Sequence, residues 1–254
     1  MNDIFTYKIR RVKKCMESAL VTASSHGLGK AIALVFAESN YDIILHGRDL
    51  NKISEAREEL FKKCPSVSAV KGDLRGYTTI NELYDRARSK ELSILINNAA
   101  IPCAGLPFEQ LSEEYIEDNI LTNLLSVIKL TRKIYPIFLE RGGGTIININ
   151  SSVGLEPRKY RSVHSASKWG LRGFDNVLRL EAREKNIRVI SVYPGRIKTV
   201  PEFDEGMEMG YVAERIYEAY KNMSEGGELL LEGEREIKRG RKFEYEKNGL
   251  IRRV

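Results

Sequence analysis

Short apolar runs alternate with longer amphipathic stretches along nearly the whole chain, and this alternation restricts the fold more than any other feature. The run SALVTA at 18–23 precedes a helical pattern, GLGKAIALVFAESN. The same pairing recurs with DIILHG at 42–47 and a helix near 50–63, then with SVSAVKGD at 66–73 and a helix near 77–89. LSILINNAA at 92–100 leads into a long helical region from about Ser112 to Leu139, and TIININSS at 145–152 into a helix from near Val163. NIRVISVYPG at 186–195, a helix near 210–222 and ELLLEG at 228–233 complete the series. Strands nearly all separated by helices require right-handed crossovers, which make a parallel sheet covered on both faces. The expected fold is therefore α/β, a single doubly wound domain over residues 16–233 with a parallel sheet of about seven strands.

Charge sits at the ends of the chain. Of a net +6, residues 1–15 hold +4 and residues 233–254 another +4, so the body between them is −2. The ends read as a basic N-terminal extension (1–15) and a basic tail (234–254), solvated and not nucleic-acid arms. No apolar run approaches the roughly 20 residues that span a bilayer. The first fifteen residues lack the apolar core of a secretory signal. Cys15, Cys64 and Cys103 are odd in number and scattered, which fits neither a disulfide framework nor a zinc-ligand spacing. The expectation is a cytoplasmic protein with no metal, no membrane contact and no nucleic-acid partner.

The first strand runs into TASSHGLG, residues 22–29, where a helix begins. Small residues at such a turn let backbone N–H groups and the helix N-terminus approach a pyrophosphate. Alone the turn is a weak signal. Its place after the first strand, opening a long helix, strengthens it.

With that turn the chain resembles the classical short-chain dehydrogenase/reductase family, whose glycine motif is TGxxxGxG; Ala23 stands at the first glycine. The resemblance continues in order through Asp73-Leu74, Asn97-Asn98-Ala99-Ala100, Asn123, Asn148-Ile149-Asn150-Ser151 and Pro194-Gly195 with Thr199, covering residues 17 to about 232. It implies a Rossmann-type fold and a reaction that interconverts a carbonyl and an alcohol with a nicotinamide dinucleotide. It implies cofactor contacts at Thr22, Ser24, Ser25, His26, Gly27, Leu28, Gly29, Asp73, Leu74, Asn98, Lys168, Pro194, Gly195, Ile197 and Thr199. It implies a catalytic set of Asn123, Ser151, Lys168 and a tyrosine, and assembly into a homodimer or homotetramer.

The tyrosine is missing. The family places it four residues before the lysine, and here VHSASKWG puts His164 at that place, thirteen residues after Ser151, the family's usual separation. Tyr160, two helical turns before Lys168, is out of register to replace it. Imidazole is a common acid–base group, but it is shorter than a phenol, and a cation at Lys168 favours its neutral form. Three readings compete: a working reductase using His164 or a water it orients, an impaired relative that binds cofactor as a scaffold or sensor, and a basic interaction protein. Retention of Asn123, Ser151, Lys168 and Thr199 around the changed position favours the first.

For the cofactor, an acid at the end of the second strand would grip the adenosine ribose 2′-hydroxyl and favour NAD. Gly47 stands there, followed by Arg48, whose guanidinium suits a 2′-phosphate, so NADP(H) is expected. Asp49 lies beyond the acid's usual place. The substrate is a small carbonyl or alcohol of unstated class. The segment from Val200 to about Met209 is short and acidic (Glu202, Asp204, Glu205, Glu208), which implies an open pocket with a solvated loop over it.

Overall fold

The computed structural model describes residues 17–64, 66–199 and 205–232, with the backbone of two short strands near the C-terminus. In chain order the elements are β1 (Ser18–Val21), α1 (Gly27–Glu38), β2 (Asp42–Gly47), α2 (Leu50–Phe61), β3 (Val67–Lys71), α3 (Tyr77–Ser89) and β4 (Ile94–Asn97). There follow α4 (Glu113–Ile120), a π-helical turn (Leu121–Leu125), α5 (Ser126–Arg141), β5 (Gly144–Ile149), α6 (Ser162–Arg183), β6 (Ile187–Pro194), α7 (Met209–Asn222) and β7 (Gly227–Leu231). The first seven strands form one sheet in the order β3-β2-β1-β4-β5-β6-β7. Every pair in it is parallel. The fold is a single Rossmann-type α/β domain.

The strands are continuous apolar runs because both sheet faces are buried. Ala19, Val21, Ile43, Leu45, Ile94 and Ile96 join one core with α1 and α7. Leu20, Ile44, Leu95, Ile146 and Val189, the alternate positions, join the other with α3 and α5. Strand order reverses between β1 and β4, so a crevice opens beyond their carboxyl ends, where such folds bind ligands.

The long helix differs from its sequence reading. It is interrupted at Leu121–Leu125 by a π turn that contains Asn123. The extra residue per turn breaks the regular backbone ladder, a distortion frequent at functional sites. The basic segment 1–15 and the acids Glu202 and Asp204 lie outside the described residues, as does most of 234–254. Of the tail, the backbone pairs Phe243–Tyr245 antiparallel with Ile251–Arg253. Among the described residues no helix is long and apolar enough to cross a membrane.

Candidate active site

The turn after β1 is held from beneath by four side chains. Ala23 adopts φ +50, the left-handed region the family's glycine enters freely and alanine enters at about 1–2 kcal/mol. Its N–H donates to Nδ1 of His46 at 3.1 Å, while Nε2 of the same ring lies 3.1 Å from the Gly72 carbonyl. A donor on one side and an acceptor on the other fix the neutral tautomer with its proton on Nε2. Burial pushes this ring's pKa down to about 4. Ser24 donates to the Val21 carbonyl and accepts from the His46 N–H. Thr22 Oγ1 accepts the N–H groups of Asn98 and Ala99, and Asn98 Nδ2 returns to the carbonyls of Thr22 and Ala23. Thr22, Ser24 and Asn98 are thus committed to shaping the turn. His46, which sequence reasoning passed over as a strand residue, is a further brace.

Above this frame the turn is open. Gly27, at φ +60, has free space where a Cβ would stand. At Gly29 a Cβ would meet the Ala23 carbonyl oxygen at 2.2 Å and Asn98 Nδ2 at 2.5 Å. The N-terminus of α1 has neither a side-chain cap nor an acid in its first turn, so its backbone donors remain for an anion. Ser25 Oγ lies 3.2 Å from His26 Nδ1, and Leu28 packs against the core. These features fit a pyrophosphate.

At the end of β2, a Cβ on Gly47 would sit 2.8 Å from Ser25 Oγ, so the turn itself fills the place an acid would need. Arg48 is exposed beside it. Asp49, the next acid, accepts from the N–H groups of Asn51 and Lys52 and caps α2. Asp73 accepts from the backbone and guanidinium of Arg75, which holds its carboxyl below the usual range. Arg75 also reaches Asp118 on α4, and Leu74 is buried in the second core. Pro194 ends β6, and the Gly195 N–H donates to Leu231 at 2.8 Å. Ile197 bridges to Met207, and Thr199 is exposed. Of the acidic loop beyond, Glu205 pairs with Arg196 and Glu208 with Lys198.

The predicted catalytic residues lie in the turn after β5, in the π turn and on α6. Ser151 Oγ accepts from the Val153 N–H at 3.3 Å. Lys168 is 3% exposed and donates to the Ile149 carbonyl at 2.9 Å. Burial pushes its pKa down to about 8, against the attraction of Asp175. Asn123 is clamped to the strand of chain after β4. Its Oδ1 accepts the Ile101 N–H at 2.7 Å and its Nδ2 donates to the Ile101 carbonyl at 3.0 Å, which fixes the amide's orientation. The same Nδ2 lies 3.1 Å from Asn119 Oδ1 and 3.4 Å from His164 Nδ1. The two amide hydrogens serve the Ile101 carbonyl and Asn119 Oδ1, the shorter contacts, so the imidazole packs against the amide nitrogen at the longest of the three distances. The side chain of Asn123 therefore steadies His164 and the chain at Ile101, a contact the sequence did not reveal.

His164 is held neutral by burial as well as by the Lys168 cation that the sequence suggested. Burial is the largest influence lowering its pKa to about 4; Lys168 and then Arg161 add to it. The column continues through Asn119, which accepts from Ser167 Oγ at 3.0 Å and donates to the Tyr115 hydroxyl at 3.1 Å. Behind Lys168, the Asp175 carboxylate accepts from Asn148 and Ser191, and burial raises its pKa to about 7. No spacing in the sequence marked Tyr115, Asn119 or Asp175.

A family model for the short chain dehydrogenases matches residues 17–205. The chain belongs to the classical short-chain dehydrogenase/reductase family. It is 36% identical over 183 residues to an uncharacterised short-chain-type dehydrogenase/reductase of Sinorhizobium fredii, covering 72% of this chain and 71% of that protein. It is 31% identical over 180 residues to an NADP-dependent 3-hydroxy acid dehydrogenase of Salmonella typhi, covering 70% and 71%. Among solved structures, the short-chain dehydrogenase of Sphingobium yanoikuyae in complex with NADPH superposes with a TM-score of 0.77 at 26% identity, over 85% of this chain and 87% of that one. The chain is accordingly an oxidoreductase of this family.

Proposed function

We propose that this short-chain dehydrogenase/reductase is an NADP(H)-dependent enzyme that interconverts a carbonyl and an alcohol, with His164 acting where the family has a tyrosine. The observation that carries the reading is the buried set of Asn123, His164 and Lys168, with the His164 ring 3.4 Å from the Asn123 amide and Lys168 one helical turn further along α6. The dinucleotide, when bound, supplies a hydride to the carbonyl carbon. Gly27, Gly29 and the N-terminus of α1 hold its pyrophosphate, and Arg48 takes the 2′-phosphate. Ser151 Oγ and the His164 N–H hold the carbonyl oxygen. An imidazole whose pKa is about 4 is a hydrogen-bond donor at neutral pH and a poor proton source. The Lys168 ammonium, at about 8, is the buried acid matched to that task.

The preference for NADP(H) is supported by the filled space at Gly47, the capping role of Asp49 and the NADP dependence of the Salmonella relative. Fluorescence titration of both reduced cofactors tests it. NADPH should bind at least tenfold tighter than NADH, and Arg48→Ala should erase the difference. Equal affinities in the parent would overturn it.

A second reading, a cofactor-binding scaffold or sensor, is favoured by the same low imidazole pKa; it predicts NADPH binding without turnover. The scattered cysteines suit a cytoplasmic setting, and exposed apolar residues on α6 suit a homodimer or homotetramer.

A further inference from the structure

Where the chain enters α6, the helix that carries His164, the structure has a cavity of about 340 Å³. Its walls come from the segment before α4 (Phe108, Glu109) and from the segment that enters α6 (Arg158, Tyr160, Arg161). Both follow strands of the central sheet, β4 and β5, so the cavity lies at the carboxyl edge from which Ser151 also projects. Its volume is at the lower end of the range for small-molecule pockets.

Three features of this cavity concern a ligand. The guanidinium groups of Arg158 and Arg161 and the exposed carboxylate of Glu109 line it. Arg161 immediately precedes α6, three residues before His164, and its side chain makes no capping hydrogen bond to that helix. It stands at the N-terminal end of the helix that carries His164 and Lys168, and its charge adds to the lowering of the His164 pKa. Tyr160 holds φ +64, a conformation disfavoured for a bulky residue. Such an outlier persists where its surroundings impose it, and these cluster at ligand sites. Tyr160 is 46% exposed, with the Lys159 ammonium 4.7 Å over its ring, and Phe108 is 65% exposed, which leaves apolar surface for a carbon skeleton.

We infer that the substrate is an oxo acid, with its carboxylate held in this cavity by Arg161 and its carbonyl directed to His164. The inference rests on the function proposed above and adds the substrate class. A guanidinium fork matches a carboxylate in a two-point hydrogen bond, which orients as well as attracts. Reduction converts the oxo acid to the hydroxy acid, with hydride from NADPH to the carbonyl carbon and a proton to its oxygen, leaving NADP⁺.

The experiment uses pairs that differ only in charge: 2-, 3- and 4-oxo acids of four or five carbons, each beside its methyl ester. The parent should show kcat/KM at least tenfold higher for the acid of one pair than for its ester. Arg161→Gln should lower that acid-to-ester ratio at least tenfold, mainly through KM, and Arg161→Lys should restore part of it. An unchanged NADPH affinity in Arg161→Gln shows that the variant folds. Calorimetry of the same acids with the protein and NADP⁺, where neither partner can donate a hydride, gives binding without turnover; the parent should bind the acid at least tenfold tighter than Arg161→Gln. Parent activity on esters and neutral ketones without preference for any acid would overturn the inference and leave the proposed function standing. Tight acid binding that depends on Arg161, with no turnover, would support the site and overturn the function. An Arg161→Gln variant with the parent's acid KM and acid affinity would overturn the inference directly.

Discussion

Lys168 should weaken the fold in order to serve the site. Its ammonium is 3% exposed, with one hydrogen bond to the Ile149 carbonyl. Burial moves its pKa from the ordinary lysine value of 10.5 to about 8. Because the unfolded chain binds the proton more tightly than the folded one, the charge destabilises the fold by about 3 kcal/mol at pH 7. Between about pH 8 and 10.5 the unfolded state carries more protons, so stability rises with pH as this cost is relieved; by pH 10 about 1 kcal/mol remains. Lys168→Met keeps the volume and removes the charge, and it orphans the Ile149 carbonyl at about 1–2 kcal/mol. The variant should therefore match or exceed the parent at pH 7. Its advantage over the parent should shrink by about 2 kcal/mol at pH 10, roughly 4–8 °C in Tm. Thermal unfolding of both proteins at the two pH values measures this difference, in which titrations common to both cancel. The same variant should lose about 100-fold or more in turnover. A gap between variant and parent that does not change with pH would refute a charged, buried Lys168.

Two further predictions concern the frame and the assembly. Gly29→Ala drives a Cβ into the Ala23 carbonyl and Asn98, so it should cost about 1–3 kcal/mol in unfolding and weaken NADPH at least tenfold by titration. On α6, Trp169, Val177 and Leu180 are exposed, Leu180 at 75%. Light scattering should show a dimer or tetramer that Leu180→Glu dissociates, and a parent of only 28.9 kDa would contradict this.

The strands and most helix limits were legible because each strand buries alternate residues in two cores and so reads as an unbroken apolar run. DIILHG and the helix at 77–89 fall where the pattern put them. The π turn was not legible, since an apolar stripe continues through one wide turn without changing its residue types. The order of the phosphate turn, Ser151, His164 and Lys168 was readable from motif spacing. The partners that tune them were not. His46 lies 23 residues from Ala23, and Asn123 lies 41 from His164; only the folded sheet and helices bring them together. Burial, the main influence on both histidines and on Lys168, is likewise a property of the packed chain.

The central claim is that His164 stands at the donor position of a working reductase. Oxidation of NADPH, followed with a panel of ketones and aldehydes for the parent, His164→Tyr and His164→Phe, tests it most directly. Phenylalanine keeps the ring and removes the donor, so His164→Phe should lose the parent's activity. Tyrosine restores the longer reach and a hydroxyl, so His164→Tyr should reduce the panel about 10- to 1,000-fold faster. A His164→Phe protein as active as the parent would contradict the account, because the reaction would then proceed without the imidazole.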